Sequence, residues 1–250
     1  MHVDLNSDLG ESFGAYTIGM DEAIIPLVSS ANIACGWHAG DPLVMQKTVA
    51  AAKAAGISLG AHPGHDDLMG FGRRTMKVTP AEAKAAIQYQ VGALMAFAQA
   101  AGVRLHHVKP HGALYNQAAV DMDLALALCQ GVHEVDRDLV FLGLAGSRMI
   151  DAARKIGMPY ASEVFADRAY LDDGTLMPRS QPGSVLHDRQ LAIRRTLQMV
   201  AEGTVEAASG KTIAIETDSI CVHGDNPSAL EFVKHIRAAL EAEGVEIRPF

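Results

Sequence analysis

The chain has 250 residues, of which 49% are hydrophobic and 20% are charged, and its formal net charge is −8. This length supports one sizeable domain, and the composition excludes disorder as the main state of the chain. Because nucleic acids and anionic membrane surfaces are both negatively charged, the acidic balance argues against either as a standing partner.

The three cysteines and the N-terminal residues indicate where the protein works. Cys35, Cys129 and Cys221 are odd in number and lie far apart, so neither a disulfide framework nor a thiolate zinc site is predicted, and a reducing compartment fits best. Residues 1–8 carry charges where a signal peptide needs an apolar run, and the most apolar stretch, 91–103, is too short to span a bilayer. We therefore predict a cytoplasmic protein with no membrane-spanning segment.

Short β-like runs alternate with longer helix-like runs from one end of the chain to the other. The predicted strands are 2–8, 31–36, 57–62, 105–109, 139–145, 160–166 and 219–223. The predicted helices are 43–55, 80–101, 121–135, 146–156, 189–202 and 227–243. Strands alternating with helices indicate a parallel sheet with helical crossovers. Since no linker-like stretch divides the chain, we predict a single domain over residues 1–250.

Polar side chains collect at the C-terminal ends of the predicted strands. The alternation of side chains along a strand places Asn6 and Asp8 on one face, and His107, Lys109 and His111 on one face of the fourth strand. An open sheet covered on both faces would bury these groups at a cost of several kcal/mol for each unpaired one, whereas a closed barrel directs them into one mouth. The sequence therefore predicts an α/β fold, a seven-stranded (β/α) barrel with its site at the C-terminal mouth.

Four histidines reinforce this prediction. His38, His62, His111 and His223 each lie at or just after the C-terminal end of a different predicted strand, with a glycine or a proline within two residues. A lone histidine is more often an ordinary core or surface group, but chance would rarely produce this placement four times. We predict that most of the four belong to one site.

Seven segments, taken in order, carry a resemblance to a known family. They are 4–11 (DLNSDLGE), 31–42 (ANIACGWHAGDP), 60–63 (GAHP), 70–74 (GFGRR), 108–116 (VKPHGALYN), 163–168 (EVFADR) and 221–227 (CVHGDNP). Through them the chain closely resembles the LamB/YcsF family over essentially its whole length. That family is related to the glycoside hydrolase/deacetylase barrels, which are usually described as seven-stranded. The departures are small: Ser7 stands where the family usually has Cys, His65-Asp66 replaces an aromatic-Pro pair, and Ser219 stands where Thr is common.

The resemblance implies a hydrolase that acts on a cyclic amide. Members of the family form the A subunit of the ATP-hydrolysing 5-oxoprolinase, which cleaves 5-oxo-L-proline to L-glutamate while ATP, as co-substrate with Mg, is hydrolysed to ADP and phosphate. The implied partners are 5-oxoprolinase subunits B and C. No recognisable nucleotide motif is present, so the sequence leaves open where ATP binds.

Within this interpretation the catalytic residues are Asp8, Lys109 and His111. Asp8 is the candidate general base for the attacking water, and Lys109 and His111 are the candidates for stabilising the phosphorylated lactam oxygen. The candidate substrate- and phosphate-binding residues are Asn6, His38, His62, Arg73, Glu163, Arg179, His223 and Asp225. We expect Asn6 to orient the water, and Arg73 or Arg179 to hold the substrate carboxylate with two hydrogen bonds.

Two other hypotheses stay open at this point. The first is a metal-dependent deacetylase or amidohydrolase in which Asp8, His38, His62 or His111 holds zinc or another divalent ion that activates water without ATP. The second is a non-catalytic subunit that binds substrate or organises its partners. The sequence does not decide whether this chain holds a metal.

Overall fold

The strands of the protein close into a parallel barrel. The computed structural model describes residues 1–186, 188–223 and 227–250. The strands are β1 (His2–Leu9), β2 (Ser30–Ala34), β3 (Ser58–His62), β4 (His107–Val108), β5 (Val140–Leu144), β6 (Tyr160–Phe165), β7 (Thr204–Glu206), β8 (Thr212–Ala214), β9 (Ser219–Cys221) and β10 (Glu246–Ile247). Seven of them pair in parallel in the order β1-β2-β3-β4-β5-β6-β9, and β9 pairs again with β1 to close the ring. The predicted seven-stranded barrel is confirmed.

Helices follow the barrel strands along the chain and pack against them or against each other. They are α1 (Asp21–Ile24), α2 (Pro42–Ala55), α3 (Pro80–Ala100), α4 (Gly112–Val120), α5 (Met122–Val135), α6 (Arg148–Ile156), α7 (Arg189–Glu202) and α8 (Pro227–Ala242), with a 3₁₀ turn at Ile25–Leu27. Every predicted helix overlaps one of these. The short α1 and α4 were not predicted, and α4 begins with Gly112, a residue type that disfavours helix. None of the helices in the described ranges is long and apolar enough to cross a membrane.

Three short strands lie outside the ring. β7 and β8 form an antiparallel hairpin between α7 and β9, and β10 extends the sheet beside the start of β1. None of the three is among the predicted strands, since runs of two or three residues are too short to show the period-two alternation of a strand.

Side-chain alternation along β1 separates the two sides of the barrel wall. Val3 and Leu5 are fully buried in the hydrophobic core cluster. Asp4 and Asn6 are equally buried, but their contacts are hydrogen bonds to polar side chains of neighbouring strands. The apolar core therefore lies between the barrel and the helices, and the barrel interior is polar.

Helix caps fix two loops of the C-terminal mouth. The Asp41 side chain accepts hydrogen bonds from the backbone N–H groups of Leu43 and Val44 at the start of α2. At the start of α3, Thr79 and Glu82 form a reciprocal capping box. Each cap stabilises its helix by about 1 kcal/mol. Both helices begin directly after a loop that carries predicted site residues, so the caps also fix where those loops end.

Candidate active site

A lysine occupies the centre of the barrel mouth. Lys109, which follows β4, is almost fully buried. Its Nζ lies 3.0 Å from Asp8 Oδ1 and 2.8 Å from Glu163 Oε1. It also donates hydrogen bonds to Asn6 Oδ1 at 3.2 Å and to Cys221 Sγ at 3.2 Å. Side chains from three strands, β1, β6 and β9, thus converge on one ammonium group, as the alternation along β1 and β4 predicts.

The surroundings of Asp8 and Lys109 keep both side chains charged. Burial by itself would raise the pKa of Asp8, but the neighbouring His62 and Lys109 lower that pKa well below its usual range. Burial would likewise lower the pKa of Lys109, and the carboxylates of Asp8 and Glu163 hold it well above its usual range. An ionised carboxylate beside a permanent ammonium group is therefore available at neutral pH.

Three of the four predicted histidines form a cluster next to this pair. The rings of His38 and His111 stack in parallel with their centroids 3.7 Å apart. His62 Nε2 lies 2.9 Å from His111 Nδ1 and 3.2 Å from Asp8 Oδ2. Burial lowers the pKa values of His38 and His111 well below the usual histidine value. The imidazoles of His38 and His111 are therefore neutral at neutral pH, and His62 connects them to Asp8.

Glu11, which was not among the predicted site residues, completes the cluster. Its Oε1 lies 3.2 Å from His38 Nε2 and 3.7 Å from His111 Nδ1. Burial and the negative charge of Asp8 raise the pKa of Glu11. Gly10, with φ at +68°, turns the chain after β1 and brings Glu11 to this position. The DLGE motif was a signal for Glu11, but it reads equally well as a turn.

His223, the fourth predicted histidine, pairs with another residue that the analysis did not single out. His223 Nδ1 lies 3.2 Å from Asp167 Oδ2. Burial would raise the pKa of Asp167, but the charges of His223 and Arg179 lower it to about 2. Burial would lower the pKa of His223, and Asp167 raises it instead. Ligand atoms of His223 and Asp8 lie within 4.8 Å of each other, so this ion pair adjoins Asp8, as the histidine cluster does.

The loop at 63–79 covers the histidine cluster. Phe71 has a φ of +54°, in the left-handed region that a residue with a side chain seldom adopts. Its backbone carbonyl accepts a hydrogen bond from His111 Nε2 at 2.8 Å, and its ring packs edge-on against His38 and His111. A Cβ on Gly112 would lie 2.6 Å from the carbonyl oxygen of Gly72, so this contact requires glycine. The close approach holds the loop against the mouth.

Two cavities open at the mouth and meet at Asp8. The larger has a volume of about 710 Å³ and extends past Lys109 to Arg179. The smaller, of about 280 Å³, lies over Glu11 and Phe71. The residues that line both are Asp8, Arg73, His111 and His223. Two ligands could therefore meet at Asp8.

Not every predicted residue reaches the cavities in the same way. Asn6 is fully buried, and its side-chain amide is engaged by Ser219, Asn32 and Lys109. Glu163 is fully buried as well and accepts a hydrogen bond of 2.7 Å from Tyr115 Oη. Both therefore lie beneath the mouth and support Lys109. The predicted binding residue Asp225 lies outside the described residues.

Two groups of side chains offer converging ligand atoms for a cation. The ligand atoms of Glu11, His38, His62 and His111 lie within 4.8 Å of one another, as do those of Asp8, Cys221 and His223. The chemistry of the first group, imidazole nitrogens with one carboxylate, suits a divalent transition metal.

Comparisons with known proteins extend over the whole chain. A sequence profile of the LamB/YcsF family matches residues 3–250. The 5-oxoprolinase A subunit of Clostridium beijerinckii is 58% identical over 99% of this chain and 97% of its own. A protein of the same name from Pyrococcus horikoshii is 55% identical over 100% and 98%. The crystal structure of a lactam utilization protein from Thermus thermophilus shares 50% identity, covers 100% of both chains and superposes with a TM-score of 0.95. The similarity in sequence and structure therefore extends over the whole chain.

Proposed function

The chain belongs to the LamB/YcsF family, and on that premise we propose that it is the A subunit of an ATP-dependent 5-oxoprolinase, acting with subunits B and C in the cytoplasm. The observation that carries the proposal is the position of Asp8, which is paired with Lys109 and lines both cavities. A reaction between a lactam and a nucleotide needs two binding spaces that share one charged point, and the mouth offers that arrangement.

The chemistry begins with activation of a stable amide. The lactam oxygen attacks the γ-phosphorus of ATP, the bond to ADP breaks, and an O-phosphorylated cyclic imidate forms. Water then adds to the imidate carbon, and the carbon–nitrogen bond breaks as the nitrogen takes a proton. This leaves the acyl phosphate of glutamate, which a second water hydrolyses. One 5-oxoproline, one ATP and two waters thus give glutamate, ADP and phosphate.

Asp8 accepts the proton of the attacking water in this proposal. Its pKa is held low by His62 and Lys109, so it is ionised but a weak base. A weak base suits attack on an activated imidate carbon better than attack on an unactivated lactam, for which proton transfer must contribute more. The low pKa of Asp8 is therefore in keeping with activation by ATP.

The cationic and imidazole groups divide the remaining tasks. Lys109 stabilises the oxygen on which charge develops, and His111 lines the same cavity beside it. His223, paired with Asp167, is placed to deliver the proton that the leaving nitrogen needs. Asn6 acts through Lys109, to which it is hydrogen-bonded, in positioning the charged pair.

The two arginines separate the two ligands. Arg73 lines both cavities, and we assign it to the carboxylate of 5-oxoproline in the smaller one, where its planar guanidinium can donate two hydrogen bonds. Arg179 lines the larger cavity, where a polyphosphate would need a positive charge. His62 lines the larger cavity and is the candidate there for proton transfer and phosphate contact. His38 is fully buried and acts on the site through its contact with Glu11, and Glu163 holds Lys109.

The test measures ADP and glutamate formed in the presence of 5-oxoproline, by this chain alone and by its mixture with subunits B and C. We expect both products in equal amounts from the mixture. Arg73→Lys in the mixture should raise the KM for 5-oxoproline, because an ammonium group cannot replace a planar, two-point donor. A mixture that forms neither product from 5-oxoproline would overturn the proposal.

The histidine cluster favours one alternative, a metal-dependent deacetylase or amidohydrolase. Its ligand types fit a divalent ion that activates water directly. This alternative predicts that the chain alone, supplied with metal, hydrolyses an N-acetyl or amide substrate without ATP. A non-catalytic role predicts instead that mouth variants fail in assembly with B and C, while a variant that assembles turns over normally.

A further inference from the structure

Two histidines of the cluster are fixed in tautomers whose lone pairs face each other. His62 Nδ1 lies 2.8 Å from the backbone carbonyl oxygen of Lys109, and His111 Nε2 lies 2.8 Å from that of Phe71. A carbonyl oxygen can only accept a hydrogen bond, so each of these nitrogens carries the hydrogen and donates it. In the neutral rings, the other two nitrogens, His62 Nε2 and His111 Nδ1, are then both bare.

These two bare nitrogens are only 2.9 Å apart. Two lone pairs at that distance repel each other unless a positive charge lies between them. The nearest carboxylate oxygen of Glu11, Oε1, lies 3.7 Å from His111 Nδ1 and is an acceptor too when ionised. Three electron-pair donors therefore converge on one point, and what they lack is a cation.

We propose that His62 Nε2, His111 Nδ1 and Glu11 bind one divalent transition-metal ion, of which Zn²⁺ is the best match. With metal–ligand bonds of about 2.0–2.1 Å, the ligand atoms of a tetrahedral site lie roughly 3.3 Å apart. The measured separations of 2.9 Å and 3.7 Å bracket that value. Two imidazoles and one carboxylate, with a fourth position open, form a ligand set typical of catalytic rather than structural zinc.

The backbone hydrogen bonds of the two histidines also support a metal site. Metal-binding histidines commonly donate their second N–H to a carbonyl or carboxylate, which fixes the ring and its tautomer. His62 and His111 both do so, to carbonyls on two different loops of the mouth. The unusual left-handed backbone of Phe71 places one of those carbonyls. The loop at 63–79 would then be a part of the site's support.

His38 is excluded from the ligand set by the direction of its lone pairs. An imidazole donates its lone pair in the plane of the ring, but the rings of His38 and His111 are parallel to within 4° and stacked at 3.7 Å. An ion equidistant from both would lie out of both planes. His38 Nε2 instead lies 3.2 Å from Glu11 Oε1 and can donate to it, which makes His38 a positioning residue for Glu11.

Asp8 lies next to the proposed ligands. Its Oδ2 is 3.2 Å from His62 Nε2, while its Oδ1 stays on Lys109. When bound, the ion would supply a Lewis acid that polarises an oxygen of the ligand held at the mouth. The site is a property of this chain's own residues and does not depend on the reaction proposed above.

The test is metal binding by the full chain, measured without turnover. The protein is stripped with a chelator and dialysed against Zn²⁺, Mn²⁺ or Co²⁺, and the bound ion is quantified by mass spectrometry. We expect about one ion per chain, a rise in Tm with Zn²⁺, and visible absorption bands with Co²⁺ from an asymmetric site. Glu11→Gln and His111→Gln should weaken binding by more than about 100-fold, and His38→Gln by about 10- to 100-fold.

His65→Gln is the matched control. His65 and His111 are both 4% exposed, and His65 Nε2 already has a partner in Gln117 Oε1 at 2.8 Å, away from the cluster. This variant should bind metal as the wild type does. The metal-free Tm of each variant reports folding, and Glu11→Gln, at a partly exposed carboxylate, keeps the test usable if a histidine variant fails to fold.

Absence of stoichiometric binding would overturn the inference, because a proton shared between His62 and His111 would then be the cation. Binding that Glu11→Gln leaves unchanged would overturn it as well. A chain that binds metal while the mixture with B and C leaves 5-oxoproline intact would keep this inference and end the proposed function. A chain that binds no metal while the mixture forms glutamate from 5-oxoproline would end this inference and keep the proposed function. The two failures are therefore distinguishable.

Discussion

Two aspartates on β1 show how differently the two ends of the barrel are built. Asp4 and Asp8 lie on the same face of the strand, roughly 13 Å apart along it. Asp4, near the N-terminal end, accepts hydrogen bonds from the hydroxyls of Ser29, Ser30 and Ser219. Its partners are neutral, and burial raises its pKa to about 6.

Asp8, at the C-terminal end, has the opposite surroundings. Its oxygens face Lys109 and His62, and it lines both cavities. The same face of one strand therefore carries two different acids. All the hydrogen-bond partners of Asp4 belong to the protein, whereas Asp8 is accessible to a ligand. The first is expected to matter for stability and the second for turnover.

The largest effect that separates the two acids should be on turnover. In the complete mixture with subunits B and C, Asp8→Asn should lower kcat by about 10³-fold, because the neutral amide cannot accept the proton of water. Asp4→Asn is the same substitution on the same face of the same strand, and it should leave kcat within about twofold. Initial rates of glutamate formation test both, with circular dichroism to show that both variants are folded. Normal turnover by the Asp8 variant would remove the distinction between the two ends.

The next effect concerns the charge at the centre of the mouth. Lys109→Met leaves the fully buried Glu163 without its cation, which should lower the free energy of unfolding by about 3–5 kcal/mol. The double variant Lys109→Met/Glu163→Gln should recover most of that loss, since residue 163 then carries no charge and the partly exposed Asp8 keeps its contact with His62. Urea unfolding of the wild type and of the two variants measures these free energies.

Lys47→Met is the surface control for this experiment. The Lys47–Glu22 ion pair has a similar length of 2.8 Å, but both side chains are more than 70% exposed. Exposed pairs contribute at most about 1 kcal/mol, so this variant should be close to wild type. Equal losses of unfolding free energy in Lys47→Met and Lys109→Met would contradict the view that the contribution of the central ion pair depends on its burial.

A third effect appears in the pH dependence of stability at the other end of the barrel. The pKa of Asp4 is about 6 in the folded chain, against an ordinary value of 3.8. Between these values the folded state holds a proton that the unfolded state releases, so stability falls as pH rises through this window. Asp4→Asn carries no titrating group there. The wild type should therefore lose about 2–3 kcal/mol relative to the variant between pH 4 and pH 7.

Urea unfolding of both proteins across that range tests the sign as well as the size. A wild type that gains stability over the variant as pH rises would show that Asp4 is held as a paired anion. The two ends of the barrel would then be alike in their electrostatics.

The parts of this site that follow from the sequence are those that depend on local geometry. Strand alternation is a local property, so it placed Asp8 and Lys109 on inward faces without knowledge of their neighbours. Glu11 could not be placed in this way, because it follows the strand and its position depends on the turn at Gly10. The carbonyl of Phe71 depends on a loop conformation fixed by contacts with Gly112, more than 40 positions away. The strand order was predictable, whereas contacts between loops were not.

The smallest effect tests whether the loop over the mouth is held as firmly as the barrel beneath it. Gln90, on α3, is fully buried and donates to the carbonyl of Gly64 while accepting from its N–H, both at 2.9 Å. Gln90→Leu keeps the volume but leaves both backbone groups unpaired, which should cost about 1–3 kcal/mol. Gln88→Leu on the same helix breaks only an exposed contact with Glu134 and should cost less than about 0.5 kcal/mol.

Because Gly64 packs against His38, we also expect Gln90→Leu, but not Gln88→Leu, to speed amide exchange along residues 64–72. If the two variants exchange alike, the loop is held by its contacts with Gly112 and α4, and the firm part of the mouth is the strand ends alone.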